Sequence, residues 1–135
     1  MGHGFSWVQH IPGLMLLEPH TATALLVMVG LLLFALRARQ QLVAATNPVV
    51  PDDGFSARNV AEVVTELISN LSESVIGHDG PKYVPLFASL FVFILASNLI
   101  GLIPGFTPPT DNFNVTFALG VVSFVAYNYY GLRAH

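Results

Sequence analysis

Residues 83–110 read YVPLFASLFVFILASNLIGLIPGFTPPT, and none of these 28 residues carries a charge. About 20 apolar residues suffice to cross a bilayer as a helix. The stretch therefore decides the fold class: the chain reads as all-α and integral to a membrane. A helix is expected from about Tyr83 to Ile103. Pro104 and Gly105 end it, because proline removes a backbone donor and disfavours helix in the residue before it. Phe106 to Asp111 follows as a proline-rich turn.

Two more uncharged stretches flank this one. Asn112 to Leu132 is rich in Phe, Val and Tyr and closes with Tyr127, Asn128, Tyr129 and Tyr130 just before Arg133, the arrangement of an interfacial aromatic belt. Pro19 to Leu36 ends at Arg37 and Arg39; it is short for a span, but its flanking residues can reach the headgroups. Three membrane spans are thus expected, at about 19–36, 83–103 and 112–132. The composition agrees: of 135 residues, 53% are hydrophobic and 10% charged, and mean hydropathy is +0.64, whereas soluble domains carry about 25% charged residues.

Between the first two spans lies the only segment that reads as an extramembrane helix. Pro48, Pro51 and the Asp52-Asp53-Gly54 turn open it, and Gly77 to Pro81 closes it. Ser56 is its expected cap. Val60, Val63, Val64, Leu67, Ile68, Leu71 and Val75 recur on one face, with Glu62, Glu66, Asn70 and Glu73 elsewhere. The apolar face either packs on protein alone or also lies in the membrane interface. The expected fold is three transmembrane helices plus one amphipathic membrane-surface helix at about 56–76. The polar face is acidic, so attraction to anionic lipid is not what would hold it there.

With three spans, Arg37, Arg39, Arg58, Lys82 and Arg133 all fall on one side of the membrane and no basic residue falls on the other. The positive-inside rule then puts the C-terminus in the cytoplasm and the N-terminus outside, periplasmic in a bacterium. The first 36 residues contain no Lys or Arg to form the basic start of a secretory signal, so the first span is expected to be retained. A net charge of −3 without a basic cluster excludes nucleic acid as a partner. Absence of cysteine excludes thiolate chemistry, and His3, His10, His20, His78 and His135 show no ligand spacing, so neither metal nor cofactor is expected. No Gly-rich phosphate loop or GxSxG elbow is present, and chemistry has to be sought in the membrane segments.

Polar groups at membrane depth are costly, and they mark either helix packing or function. Ser97, Asn98, Thr110, Asp111, Asn112, Asn114 and Thr116 crowd one end of the last two spans. Asn98 must find a partner within the bilayer, either a neighbouring helix or a hydrated path. Asp111 suits a helix cap, where a carboxylate meets free amides; its alternative is the wall of a hydrated funnel. Gly101 and Gly105 fit close approach of a neighbouring helix, and Thr116, Gly120 and Ser123 form a narrow stripe of small residues that reads as a packing face. Asn70-Leu71-Ser72 and Asn114-Val115-Thr116 match the glycosylation sequon by chance, since both fall in helical segments.

The stretch FILASNLIGLIPGFTPPTDNFNVTFALGV, residues 93–121, resembles the second and third membrane segments of subunit a of the bacterial F-type ATP synthases. The resemblance rests on Asn98, Leu99 and Pro104, then Pro109, Thr110, Asn112, Asn114 and Thr116, followed by Ala118, Leu119 and Gly120. The first span and the helix near Ala57-Arg58-Asn59 also look like the N-terminal part of that subunit. The resemblance implies a stator subunit in the inner membrane that holds aqueous half-channels against the ring of c subunits. Its implied partners are the c-ring, subunit b and other synthase subunits, together with the lipid bilayer. Asn98, Thr110, Asp111, Asn112 and Asn114 would line or border the outer proton half-channel. The sequence has Gly101 where some members place an aspartate and Asn112 where some place an acid, with Asp111 one position away. Members continue into a helical hairpin carrying an essential arginine, so the chain is expected to be an N-terminal part, without a catalytic site and unable to translocate protons alone. A small integral anchor or a piece of a secondary transporter is the alternative that the three-span layout alone would serve.

Overall fold

A computed structural model describes residues 7–14, 16–45 and 54–134; Pro48, Pro51, Asp52, Asp53, His3 and His135 lie outside the described residues. The described residues are helical with intervening turns, and no strand occurs among them. A 3₁₀ turn at Trp7–His10 precedes four helices: α1 (Pro19–Ala44), α2 (Ala57–Ile76), α3 (Val84–Ile100) and α4 (Phe113–Ala134). Three helical segments, Pro19–Ala44, Gly80–Ile100 and Phe113–Arg133, are long and apolar enough to cross a membrane. Large apolar side chains are exposed along all three, among them Leu32, Leu33, Phe91, Leu95, Phe117 and Val121. Surfaces of that kind suit hydrocarbon rather than water.

The chain folds as two compact units, 28–93 and 1–27 with 94–135. In the first, α1 continues beyond the expected span, through Arg37 and Arg39 to Ala44. Hydropathy marks where the apolar body stops, whereas Arg, Gln, Leu and Ala remain good helix formers in water, so the helix outlasts the span. Helix α2 starts where its cap predicts: Ser56 is extended (φ −116°, ψ 156°) and its hydroxyl accepts from the Asn59 amide at 3.1 Å. The Asn59 side-chain nitrogen donates back to the Gly54 carbonyl at 2.8 Å. Arg58 is almost fully buried; its amide donates to Gln41 Oε1 of α1 at 2.9 Å and its Nε to Glu62 Oε1 at 2.7 Å. One otherwise unmatched N–H of the first turn is thereby satisfied by another helix. Of the larger apolar residues of α2, Ile68 is buried and Val64 half-buried, whereas Val60, Val63, Leu67, Leu71, Val75 and Ile76 are exposed.

Helix α2 ends at Gly77, whose positive φ (85°) lets its amide reach the Glu73 carbonyl at 2.8 Å. The chain then doubles back through a 3₁₀ turn, Gly80–Tyr83, directly into α3. Gly80 is pressed against α2: a Cβ there would lie 2.5 Å from the Ser72 carbonyl oxygen, and the buried Ser72 hydroxyl donates to the Gly80 carbonyl at 2.7 Å. Pro85 falls at the second position of α3, where a missing N–H costs no helical bond.

The second unit contains the end of α3, the turn beyond it and α4. Helix α3 stops at Ile100, three residues before the expected end. Leu102 and Ile103 instead donate to the carbonyls of Leu99 and Ile100 at 3.1 Å each, so the helix tightens into 3₁₀ bonds before Pro104 forbids its continuation. Gly105 follows with φ +90°.

Candidate functional site at the turn between α3 and α4

The last turn of α3 and the 3₁₀ turn before α4 bring two polar side chains together, Asn98 and Thr110. Pro108 adopts an extended conformation (φ −60°, ψ 129°), and Pro109–Asp111 forms a 3₁₀ turn whose Asp111 amide donates to the Pro108 carbonyl at 3.1 Å. Proline fixes φ at two successive positions here, which is why a short segment can hold Thr110 in a defined place. The Thr110 hydroxyl donates to Asn98 Oδ1 at 2.9 Å. Asn98 is exposed, and no protein group among the described residues bonds its side-chain nitrogen.

Asn112 caps α4. Its backbone is extended (φ −93°, ψ 128°), its side-chain oxygen accepts from the Asn114 amide at 2.8 Å, and its carbonyl accepts from Val115 and Thr116. The cap therefore sits one residue later than Asp111, because Asp111 is the last residue of the 3₁₀ turn and only Asn112 has the extended backbone that capping needs. This leaves the carboxylate of Asp111 and the side-chain amide of Asn114 exposed, without a protein partner among the described residues. The Thr116 hydroxyl donates to its own helix, at the Phe113 and Asn112 carbonyls.

The glycines expected at a helix-packing surface have local work to do. A Cβ on Gly101 would fall 2.7 Å from Pro108 Cβ, so the turn itself fills that space, and Gly105 supplies the positive φ that reverses the chain. Gly120, by contrast, has open space where a Cβ would point, and Ser123 is exposed; nothing in the described chain covers the Thr116, Gly120 and Ser123 stripe. Ser97, one helical turn before Gly101, is fully buried and its hydroxyl has no protein partner among the described residues. Leaving a buried hydroxyl unmatched costs about 1 to 3 kcal/mol, and a water molecule is what ordinarily removes that cost.

Sequence reasoning missed Trp7. Its indole Nε1 donates to the Pro104 carbonyl at 3.2 Å and its amide to the Gly105 carbonyl at 3.1 Å, tying the N-terminal segment to the turn after α3. The residue is the single tryptophan of the chain. An interfacial role was readable from that, but its partner was not. Among the described residues no group of His, Asp and Glu is arranged to hold a metal ion.

A chain whose described residues are helical, with three segments long and apolar enough to cross a membrane and an amide–hydroxyl bond at the turn between the last two, is placed among the membrane proteins. The family model described as ATP synthase A chain matches residues 21–135. ATP synthase subunit a of Bdellovibrio bacteriovorus is 42% identical over 129 residues, covering 96% of this chain and 56% of the relative. The subunit a of Geobacter sp. strain M21 is 40% identical, and that of Geobacter sulfurreducens 41%, each over 110 residues, 82% of this chain and 44% of the relative. The chain belongs to the ATP synthase subunit a family and spans about half the length of the curated relatives it matches. No solved structure matches it. Membership displaces the alternative of an unrelated anchor or transporter piece.

Proposed function

We propose that these residues form part of the membrane stator of a rotary ATP synthase and that the polar cluster between α3 and α4 borders its outer proton half-channel, beside the c-ring. The reading rests on the Thr110 to Asn98 bond, which joins the end of α3 to the turn before α4 inside a family of synthase subunits while leaving the Asn98 nitrogen, Asn114 and Asp111 open to solvent. A dry packing site would need each of these groups matched. Water matches them without further protein groups, and the buried Ser97 hydroxyl supports the same reading. The chain has no catalytic site of its own in this scheme and binds no cofactor; it positions side chains and water.

The same reading places the chain in a bacterial inner membrane with its N-terminus periplasmic and its C-terminus cytoplasmic, by the one-sided distribution of the basic residues. The bonds from Trp7 to Pro104 and Gly105 support a common side for the N-terminal segment and the turn after α3. The exposed apolar face of α2 lies along the membrane surface; spin labels at Leu67 and Glu66 with equal access to water would contradict that placement. Subunit b and the c-ring are the partners that would cover the small-residue stripe of α4.

Proton flux normalised to assembled enzyme tests the half-channel. Asn98→Leu and Asn114→Leu in the complete subunit should slow conduction while the complex still assembles. A packing role gives the reverse, poor assembly with normal flux per complex, and unchanged normalised flux in both variants rules out a pathway role for these asparagines.

A further inference from the structure

We infer that Trp7 is a positioning residue for the polar cluster, the N-terminal segment acting as a strap that holds the turn after α3 in the conformation pairing Thr110 with Asn98. The inference rests on the half-channel reading for its consequence, but its geometry stands apart from it. Two hydrogen bonds from one residue, indole to Pro104 and amide to Gly105, join positions 97 or more residues apart in the sequence. They reach two successive carbonyls of a reversal in which Gly105 needs a positive φ. Val8, next to Trp7, is fully buried, so the segment is anchored by an apolar side chain as well.

The turn is fastened at three places. Near α3, the ring of Pro108 lies over Gly101; at the far end, Thr110 bonds Asn98; between them, among the described residues, Trp7 alone holds the Pro104 and Gly105 carbonyls from outside the turn. Remove the indole and the Pro104 carbonyl turns to water without a large desolvation cost, because Pro104 is itself exposed, while the backbone amide of residue 7 keeps its bond to Gly105. What is lost is restriction. The segment carrying Thr110 gains freedom, and the fraction of molecules with the pair formed falls. Trp7 itself is half exposed, so its ring is not a core residue whose loss would unfold the unit.

The experiment uses assembled synthase in membranes, in a background without cysteine. A short bifunctional thiol reagent applied to a Trp7→Cys, Phe106→Cys pair reads proximity, and proton conduction per assembled complex reads positioning in Trp7→Ala, Trp7→Phe and Asn98→Leu. We expect cross-linking, a roughly two- to tenfold fall in Trp7→Ala, the scale of one hydrogen bond's net free energy, and a smaller fall in Trp7→Phe, which keeps an aromatic ring; both variants keep the backbone bond to Gly105. A structural role would lower the amount assembled and leave the rate per complex alone. Failure to cross-link, or an unchanged rate per complex in Trp7→Ala while Asn98→Leu slows, overturns the inference. A fall in Trp7→Ala with Asn98→Leu unchanged supports the strap and overturns the half-channel at Asn98 instead.

Discussion

Two turns of this chain are built from the same parts and put them to different use. After α2, Gly80 presses on the Ser72 backbone and the Ser72 hydroxyl bonds the Gly80 carbonyl; after α3, Gly101 lies under Pro108 and the Thr110 hydroxyl bonds Asn98. The first hydroxyl is buried and bonds backbone, so its corner is closed and its polar groups are matched. The second bonds another side chain, in the open, and leaves amide nitrogens and a carboxylate beside it unmatched by protein. A buried, fully matched polar contact reads as architecture. A half-matched, accessible one reads as a place for water and ions.

The sharpest way to break that contrast is to add a methyl group at each glycine. Gly80→Ala would drive Cβ to 2.5 Å from a backbone oxygen inside a helix, which has no flexible end to move. Overpacking of this kind costs roughly 1 to 3 kcal/mol and here should reach the upper part of that range. Thermal unfolding of the detergent-solubilised subunit should show the loss, with flux per surviving complex unchanged. Gly101→Ala meets a proline ring on an outer turn, 2.7 Å away. That turn can shift, so about 1 kcal/mol of stability is expected, together with a drop in flux per complex as Thr110 leaves Asn98. If Gly101→Ala proved as destabilising as Gly80→Ala and left flux intact, the two turns would be alike and the contrast would fail.

The hydroxyls give a smaller effect of the same kind. Ser72→Ala removes a buried hydrogen bond to the Gly80 carbonyl, at a cost of about 1 kcal/mol. Thr110→Val keeps shape and removes the donor where water can replace it, so stability should change by less than about 0.5 kcal/mol while proton flux per complex falls. Equal thermal shifts for the two variants would mean that the Thr110 bond is buried in the working assembly.

Much of this architecture was legible in the sequence, for reasons that also mark where legibility ends. Uncharged length located the three apolar helices, and Ser56 announced the start of α2. The polar cluster was visible as a composition, and its juxtaposition of Asn98 with Thr110 followed once two helices were joined by a short turn. Hydropathy could not say that α1 runs on to Ala44, because helix propensity does not stop at the membrane surface. Nor could it choose between Asp111 and Asn112 as the cap of α4: both residues suit the role, and backbone conformation alone decides. Spacing alone suits Gly101 and Gly105 to a neighbouring helix, and the demand of the turn on both is visible only in the backbone. Buried Arg58 and the Trp7 contact depend on segments distant in sequence, for which a local pattern carries no signal.

The smallest effect belongs to the charged pair at the α2 corner. Lys82 Nζ donates to Asp79 Oδ1 at 2.5 Å, with both side chains largely exposed. The hydrogen bond from Lys82, and then its charge, hold the Asp79 carboxyl below the usual aspartate value of 3.8. A lowered folded-state value means that the contribution is complete above the unfolded value and disappears as pH falls through the folded one. At pH 7 it is therefore present, and acid below about 3.8 should remove it. Exposure and salt screening keep it small, and the corner has backbone bonds of its own, Gly80 to Gly77 at 2.9 Å and Lys82 to Asp79 at 3.2 Å. Asp79→Asn should lower the thermal midpoint slightly at pH 7 and low salt. The difference from the parent should vanish in high salt, and again in acid once Asp79 is protonated. A shift rivalling that of Ser72→Ala would show that surface charge, rather than the close fit of Gly80 against Ser72, holds this corner shut.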